Sequence, residues 1–310
     1  MLLTLLQVTV LVLLGPLVTG FVQKLKARLQ CRQGAPMVQP YRDLAKLLRK
    51  GTVQSDTASA FYRAIPPLVL AATLTAAAMV PVLALPAAGG APPFGDAIFL
   101  IGLLALGRFL TAVGALDGGG AFGGMGASRE MTLGPLVEPV LLLVVFSVAA
   151  AAGTTDLAEL AARRITHAEL AWRAPDVLAL GAALVLLLAE TGRIPVDNPD
   201  THLELTMIHE GMLLEQSGPG LAWIVLASHT KQLVVMALIG ALFFPLGLAS
   251  DSGPISLTIA LFAFVGKAAA LAVFVGLVES SYAKLRFFRV PQFLGIGFLC
   301  GFLALALRVL

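Results

Sequence analysis

Hydrophobic residues fall into eight long runs that are separated by polar segments. The runs cover residues 2–22, 65–85, 97–116, 134–152, 177–190, 221–249, 255–278 and 291–310. An apolar run of about 20 residues has the length of a helix that crosses the ~30 Å hydrocarbon core of a bilayer. The pattern therefore predicts an all-α, polytopic membrane protein with about eight transmembrane helices in one domain, residues 1–310. No internal repeat is visible.

The fifth run is too short to complete a crossing as a helix. Its apolar part, residues 177–189, would cover roughly 20 Å at about 1.5 Å per residue. Glu190 follows directly, and Pro195 and Pro199 disfavour a continuous helix beyond it. Residues 189–218, named the acidic segment below, hold six of the 18 acidic residues. Charged, non-helical backbone is tolerated at membrane depth only inside protein or beside water, so we expect this segment to enter a polar cavity from one side.

Composition supports a membrane protein. The chain is 58% hydrophobic and 13% charged, with a mean hydropathy of +0.91, whereas soluble domains carry about 25% charged residues. The first run has no basic residue before it and no small-residue cleavage motif, so we expect a retained transmembrane helix and not a signal peptide.

Lys and Arg residues are unevenly distributed between the two sets of loops. With the N-terminus outside, the cytoplasmic loops are 23–63, 117–133, 191–220 and 279–290, and they hold 14 of the 21 bases. The positive-inside rule therefore predicts that the acidic segment lies on the cytoplasmic side.

The first of these loops, residues 23–63, contains an amphipathic pattern. In Y-R-D-L-A-K-L-L-R-K, residues 41–50, Leu44, Leu47 and Leu48 share one helical face and the bases lie opposite. This predicts an in-plane helix at the membrane interface. Two roles stay open: the bases set topology and contact anionic lipid, or the loop forms a docking surface for a peripheral partner.

Several other functions are disfavoured. The G-x-G-x-x-G at residues 118–123 follows a membrane helix and not a strand, so we expect a turn or close helix packing and no nucleotide site. No folded basic domain is present for nucleic acid. His202 and His209 lack H-E-x-x-H spacing, which disfavours a metal site. Two cysteines cannot supply the four ligands that an iron–sulfur cluster typically takes.

Away from the ends of the apolar runs, four charged residues interrupt them: Arg108, Glu138, Lys231 and Lys267. A charge at the helix centre costs about 2.5–3.5 kcal/mol on insertion scales, so each must face the bundle interior. Static ion pairs between helices are one interpretation, and the favoured one for Arg108. The other is a relay through ordered water, because burial and crowding bring carboxylate and lysine pKa values closer together.

At residues 189–210 the sequence A-E-T-G-R-I-P-V-D-N-P-D-T-H-L-E-L-T-M-I-H-E resembles the membrane-anchor subunit of energy-converting [NiFe] hydrogenases, the formate hydrogenlyase subunit 4 family. That family is similar to the H subunit of NADH:quinone oxidoreductase, with its A-E-T-x-R-x-P-F-D-L-x-E-x-E-x-E-L pattern. The matching positions are Glu190, Thr191, Arg193, Pro195, Asp197, Glu204 and Leu205. The later E-x-S-G matches Glu215, Ser217 and Gly218.

Other segments agree in order with this family, and some positions depart from it. The basic residues after the first helix, the spacing from Arg129 to Glu138, and Lys267 all have counterparts. One family glutamate is replaced by His202 and another by Ser228. These departures favour the hydrogenase branch over quinone binding.

The resemblance implies an integral-membrane subunit, in the cell inner membrane, that anchors a hydrogenase module and couples its redox chemistry to proton or sodium translocation. Expected partners are hydrogenase large and small subunits and antiporter-like membrane subunits; the [NiFe] centre and iron–sulfur clusters would lie in the partners, with no cofactor in this chain. The expected relay residues are Glu138, Glu190, Asp197, Asp200, Glu204, Glu210, Glu215, Lys231 and Lys267. The expected docking residues are Arg28, Arg32, Arg42 and Arg193.

The sequence is also compatible with three alternative functions. The first is a quinone-site membrane subunit of a NADH:quinone oxidoreductase-like complex. The second is a free-standing ion transporter, and the third is a purely structural anchor.

Overall fold

The computed structural model of the protein describes residues 2–55, 58–85, 95–166, 172–198, 207–249 and 253–309. Within these ranges the chain forms eleven α-helices and no β-strand. The helices are α1 (Leu2–Leu29), α2 (Gln39–Leu48), α3 (Ala60–Met79), α4 (Ala97–Asp117), α5 (Ala121–Ala152), α6 (Leu157–Thr166), α7 (Ala174–Glu190), α8 (His209–Leu213), α9 (Gly218–Phe243), α10 (Pro254–Ser281) and α11 (Val290–Val309).

Seven of the described helices are long and apolar enough to cross a membrane, namely α1, α3, α4, α5, α9, α10 and α11. The 17-residue α7 occupies the fifth predicted run and spans about 25 Å, slightly less than the hydrocarbon core. The prediction of an all-α, polytopic membrane protein is confirmed. The predicted number of about eight crossings is close to the seven candidates, with α7 in the place of the remaining one.

Helix α9 lies at the centre of the bundle. It packs against α1, α2, α3, α7 and α10. In the most apolar 18-residue window of α9, 72% of the residues are buried, whereas 28% are buried in the corresponding windows of α1, α10 and α11. Polar residues on α9 are therefore enclosed by other helices, whereas the outer faces of α1, α10 and α11 present apolar side chains to their surroundings.

The polar loops gather at the two ends of the bundle. At one end, named the basic end, the Ser217 hydroxyl accepts a hydrogen bond from the backbone N–H of Val53 at 2.8 Å, and the Leu285 N–H donates to the Pro195 carbonyl at 2.9 Å. At the opposite end, the Ala97 N–H donates to the Thr155 carbonyl at 3.0 Å. The Ser59 hydroxyl donates to the Asp117 carboxylate at 2.7 Å, which adds the loop at 117–133, so the four loops that the charge pattern groups together meet at the basic end.

The glycine-rich stretch after α4 differs from the expected loop. Helix α5 begins at Ala121, so much of the loop predicted at 117–133 is helical. A side chain at Gly126 would press on the backbone of α8, at the Ile208 carbonyl oxygen 2.8 Å away. Gly118 and Gly120 lie against the side chain of Glu215. The glycines therefore permit close packing, as the sequence interpretation proposed.

The predicted amphipathic helix forms as α2, two residues earlier than expected. The chain folds back after α1, and Met37 lies so close to Gly20 that a side chain there would overlap its carbonyl oxygen. Tyr41 donates a hydrogen bond to the carbonyl of Leu13, and Leu44 is buried. Helix α2 is thus held against α1 and α9.

Candidate functional site

Glu190 is the centre of a buried ion-pair cluster. The last residue of α7, it is 6% exposed. One carboxylate oxygen lies 3.0 Å from Nη2 of Arg108 on α4, and the other lies 2.9 Å from Nζ of Lys231 on α9. Arg108 Nε also lies 3.8 Å from Glu130 on α5. These four residues, named the Glu190 cluster, carry two positive and two negative charges when all are ionised.

Two small cavities flank this cluster. The first, of about 40 Å³, is lined by Glu190, Lys231, Ser228 and His209 among others. The second, of about 20 Å³, is lined by Glu190, His209 and Asp197 among others. A buried water needs about 10–15 Å³ of such space and two to four polar partners, so both cavities can hold ordered water. His209, weighed above only as a metal ligand, lines both.

Asp197 connects the first part of the acidic segment to the start of α8. It is 3% exposed, and its carboxylate accepts hydrogen bonds from the backbone N–H groups of Ile208, at 3.3 Å, and His209, at 2.9 Å. Its other oxygen lies 2.9 Å from Lys284 Nζ. Asp197 thus joins the start and the end of the segment whose middle, residues 199–206, lies outside the described residues.

A second buried cluster, which the sequence analysis did not identify, is centred on Glu279. This residue near the end of α10 is 4% exposed. It pairs with Arg193 at 3.4 Å and with Lys26 at 3.6 Å. Arg193 also donates to the Gln232 side chain at 2.6 Å, and Gln232 in turn accepts from the Thr19 hydroxyl at 3.2 Å. We name these five residues the Glu279 cluster.

In the described residues, Glu138 and Lys267 make no direct contact with the charged groups of either cluster, although Glu138 lies near enough to Arg108 for an electrostatic interaction. Each is half-buried, on α5 and α10 respectively. In the ranges that the structure describes, neither makes an ion pair or a side-chain hydrogen bond. The stem of Lys267 lies beside Gly240, where an added side chain would come within 3.5 Å of its Cδ. The structure therefore does not join Lys231 directly to Lys267, and any link between them needs water or another chain.

The remaining predicted site residues are dispersed. Arg28, Arg32 and Arg42 are exposed on the basic end, whereas Arg193, grouped with them as a docking residue, is 7% exposed inside the Glu279 cluster. Glu210 and Glu215 are half-buried on or beside α8. Asp200 and Glu204 lie outside the described residues.

The Glu279 cluster could have been found from sequence only in part. Glu279 directly follows an apolar run, as Glu190 does, and that position at the end of a membrane helix was the available signal. Its partners come from α1, α9 and the acidic segment, which are far apart in the chain. No spacing in the sequence connects them.

In the Glu190 cluster, a change in the charge of Glu190 alters its ion pairs with both Arg108 and Lys231. Glu190 holds Arg108 and Lys231 together, and neutralising it would leave two cations facing each other. Like charges that crowd in a medium of low dielectric repel strongly. His209 lines both cavities and so lies between the acidic segment and Glu190. The geometry therefore suits a relay in which a proton from the basic end rearranges charges at membrane depth.

Comparison with known proteins finds similarity along nearly the whole chain. A family model described as NADH dehydrogenase matches residues 1–309. Hydrogenase-4 component C of Escherichia coli (strain K12) is 36% identical over 296 residues, which is 94% of this chain and 90% of that protein. Formate hydrogenlyase subunit 4 of the same organism is 35% identical over 300 residues, 97% and 96% of the two chains.

The fold is shared with a solved structure. A chain in the structure of the membrane-bound sulfane sulfur reductase, an archaeal respiratory membrane complex, aligns with a TM-score of 0.79 at 19% identity, covering 98% of each chain. At that identity the likeness establishes the fold.

Proposed function

This chain belongs to the NADH dehydrogenase family, and from that premise we propose that it is the integral-membrane subunit of a membrane-bound hydrogenase complex of the formate hydrogenlyase type. It anchors the hydrogenase module and couples redox chemistry there to translocation of protons or sodium ions. The two Escherichia coli relatives support this proposal, because both cover more than nine tenths of this chain. The observation that carries the coupling role is the Glu190 cluster, which places compensated charges next to the loops of the basic end.

In this proposal the basic end faces the cytoplasm of a cell with the protein in its inner membrane. The exposed Arg28, Arg32 and Arg42 supply a positive surface for the hydrogenase large and small subunits, which carry the [NiFe] centre and the iron–sulfur clusters. The positive-inside rule supports this orientation, since the loops at the basic end hold most of the bases.

Coupling proceeds through the acidic segment. Redox chemistry next to the basic end changes protonation at Asp197, His209 or their neighbours, and the change reaches Glu190 through the two cavities. Glu138 and Lys267, which make no ion pair or side-chain hydrogen bond in the described ranges, are the positions where antiporter-like membrane subunits can receive it. A charge at membrane depth is stabilised by a partner of opposite sign, which such a subunit can provide.

Replacement of Glu190 by Gln in the assembled complex tests the proposal. The amide keeps the size of the side chain but cannot neutralise Arg108 and Lys231. We expect hydrogen evolution to continue while ion translocation per hydrogen molecule is lost. In the matched control Glu159→Gln, an exposed carboxylate at the opposite end changes, and both activities should be retained.

Unchanged translocation per hydrogen molecule in Glu190→Gln would contradict the coupling role. If that variant fails to assemble, Lys231→Gln removes a partly exposed member of the same cluster and carries the same expectation.

The alternative function is a quinone-site subunit of a NADH:quinone oxidoreductase-like complex. The description of the matching family, NADH dehydrogenase, is compatible with this alternative. Purification of the complex and identification of its subunits separates the two. A [NiFe]-binding large subunit supports the hydrogenase assignment, and a NADH-oxidising module supports the alternative.

A further inference from the structure

A cleft of about 560 Å³ opens at the basic end between the first turns of α3 and α9. Residues 52–54 form a third wall, which the contact between Val53 and Ser217 holds in place. Among the residues that the structure describes, the cleft shares no lining residue with the two cavities beside Glu190. It is therefore a separate feature, and its interpretation does not rest on the proposed function.

Hydrogen-bond donors without partners converge on this cleft. Arg63 Nε donates to the Gln54 side chain at 2.7 Å, and in the described residues its two outer nitrogens, Nη1 and Nη2, have no partner. Gln216 is 9% exposed, lines the cleft and makes no side-chain hydrogen bond within the same ranges. Arg63 carries the only charge among the lining residues that the structure describes. The polar side of the cleft is thus suited to an anion.

The start of α9 adds to this preference. Its N-cap residue Ser217 bonds to Val53 and does not cap the helix. Pro219 has no N–H, and the Leu221 N–H donates to the Ser217 carbonyl at 3.4 Å, so the N–H of Gly220 is the first-turn donor that can bind an anion. Gly220 in that turn lines the cleft. Unsatisfied N–H groups and the helix dipole favour an anion at a helix N-terminus.

The other side of the cleft is apolar. Pro66, Pro67 and Trp223 line it, and Trp223 is 39% exposed. These residues lie in the first two turns of helices that are long enough to cross a membrane, so they lie near the level of lipid headgroups. Tryptophan is enriched at that level because its ring is apolar and its N–H is polar.

We propose that this cleft binds an anionic phospholipid, with the phosphate at Arg63, Gln216 and the start of α9 and the acyl chains along Pro67 and Trp223. A guanidinium with two free outer nitrogens matches the bidentate geometry of a phosphate. A quinone ring carries no charge to pair with Arg63. A free phosphate compound would leave the apolar wall without a partner.

Quenching of tryptophan fluorescence tests the proposal directly. The chain has two tryptophans, Trp172 and Trp223, so the full-length Trp172→Phe protein in detergent reports on Trp223 alone. Phosphatidylglycerol brominated in its acyl chains should quench this fluorescence. Arg63→Gln should raise the half-quenching concentration about tenfold or more, since a charge-assisted bidentate contact is lost. Arg49→Gln, which removes an exposed arginine of the same loop, should leave it unchanged.

Competition identifies the ligand in the unmutated cleft. Neither glycerol phosphate nor decylubiquinone should displace the brominated phosphatidylglycerol. Displacement by glycerol phosphate would assign the cleft to a free phosphate compound, and displacement by decylubiquinone would assign it to a quinone. Equal quenching by brominated phosphatidylcholine would show that the cleft does not select a lipid of net negative charge. An equal loss in Arg49→Gln would show that Arg63 is not the specific partner of the phosphate. Any of these results overturns the proposal.

Discussion

The two buried carboxylates Glu190 and Glu279 hold different parts of the molecule. Glu190 pairs with cations on two spanning helices, α4 and α9. Glu279 pairs with Lys26 at the end of α1 and with Arg193 in the acidic segment. A buried carboxylate that loses its partner is costly, whereas a fully paired one is close to neutral in free energy. The intact cluster of Glu279 therefore adds little net stability, and its role is to fix how the acidic segment meets the first helix.

Replacing Glu279 by Gln should release both cations. Because Arg193 and Lys26 would lose their carboxylate while still largely buried, we expect the free energy of unfolding to fall by about 3–5 kcal/mol at most. Faster hydrogen exchange should appear at residues 30–38 and 191–198, measured by mass spectrometry. Asp43→Asn, which changes an exposed carboxylate at the same end, is the control. Exchange that stays as slow as in the control would show that Glu279 does not hold these segments.

Helices α1 and α2 form one element through the fold-back of the basic loop between them. The closest approach is at Gly20, where Met37 occupies the space that a side chain would need. Tyr41 then bonds to the carbonyl of Leu13 and fixes the position of α2 along α1. The exposed Arg42 and Arg28 thus have a defined spacing on the basic end. A docking surface depends on that spacing as much as on the charges.

Gly20→Ala should displace the fold-back. Overpacking costs typically 1–3 kcal/mol, so we expect about that loss of stability and weaker retention of hydrogenase subunits on purification. Gly102→Ala is the matched control, since a side chain there meets nothing within 4 Å. Retention of the partner subunits equal to that of the control would indicate that the position of α2 is not needed for docking.

On the scale of the whole molecule, buried ion pairs form towards both ends of the bundle, but different residues and helices form them. At the opposite end Asp176 on α7 is 1% exposed and pairs with Arg164 on α6 and with Arg308 on α11, the latter at 2.8 Å. Burial lowers the pKa of Arg164 from its ordinary value, although Asp176 opposes this shift. None of these three residues is among the described residues that line the two cavities beside Glu190. They link three helices and have no place in the proposed relay.

Asp176→Asn should therefore separate stability from coupling. Two buried arginines would lose their carboxylate, and we expect a loss of about 3–5 kcal/mol, seen as a lower thermal midpoint in detergent. Ions translocated per hydrogen molecule should not change. Glu159→Gln is the control at the same end; hydrogen bonds from Thr154 and Arg163 lower the pKa of Glu159, so it is charged at neutral pH. A changed ion ratio in Asp176→Asn would mean that the opposite end takes part in coupling.

Much of the fold follows from local patterns. The apolar runs predicted every spanning helix, and the alternation of leucines and bases predicted α2 to within two residues. The loop at 117–133 was predicted less well. Glycines such as Gly123 and Gly126 favour turns in isolation, but here they allow α5 to approach α4 and α8 closely. Tertiary packing overrides local propensity at such positions.

The sequence by itself determined that this protein is a bundle of membrane helices, that one set of loops carries most of the Lys and Arg residues, and that an acidic segment follows the short run ending at Glu190. These features depend on the apolar length and the charge of each segment, which are local properties. Only the tertiary structure decided which charges pair. Glu190 pairs with Arg108 and Lys231, the buried Arg193 pairs with Glu279, and Lys267 forms no ion pair within the described residues. Ion pairs act over a few ångströms, and the partners come from helices distant in the chain, so their choice depends on how the helices pack.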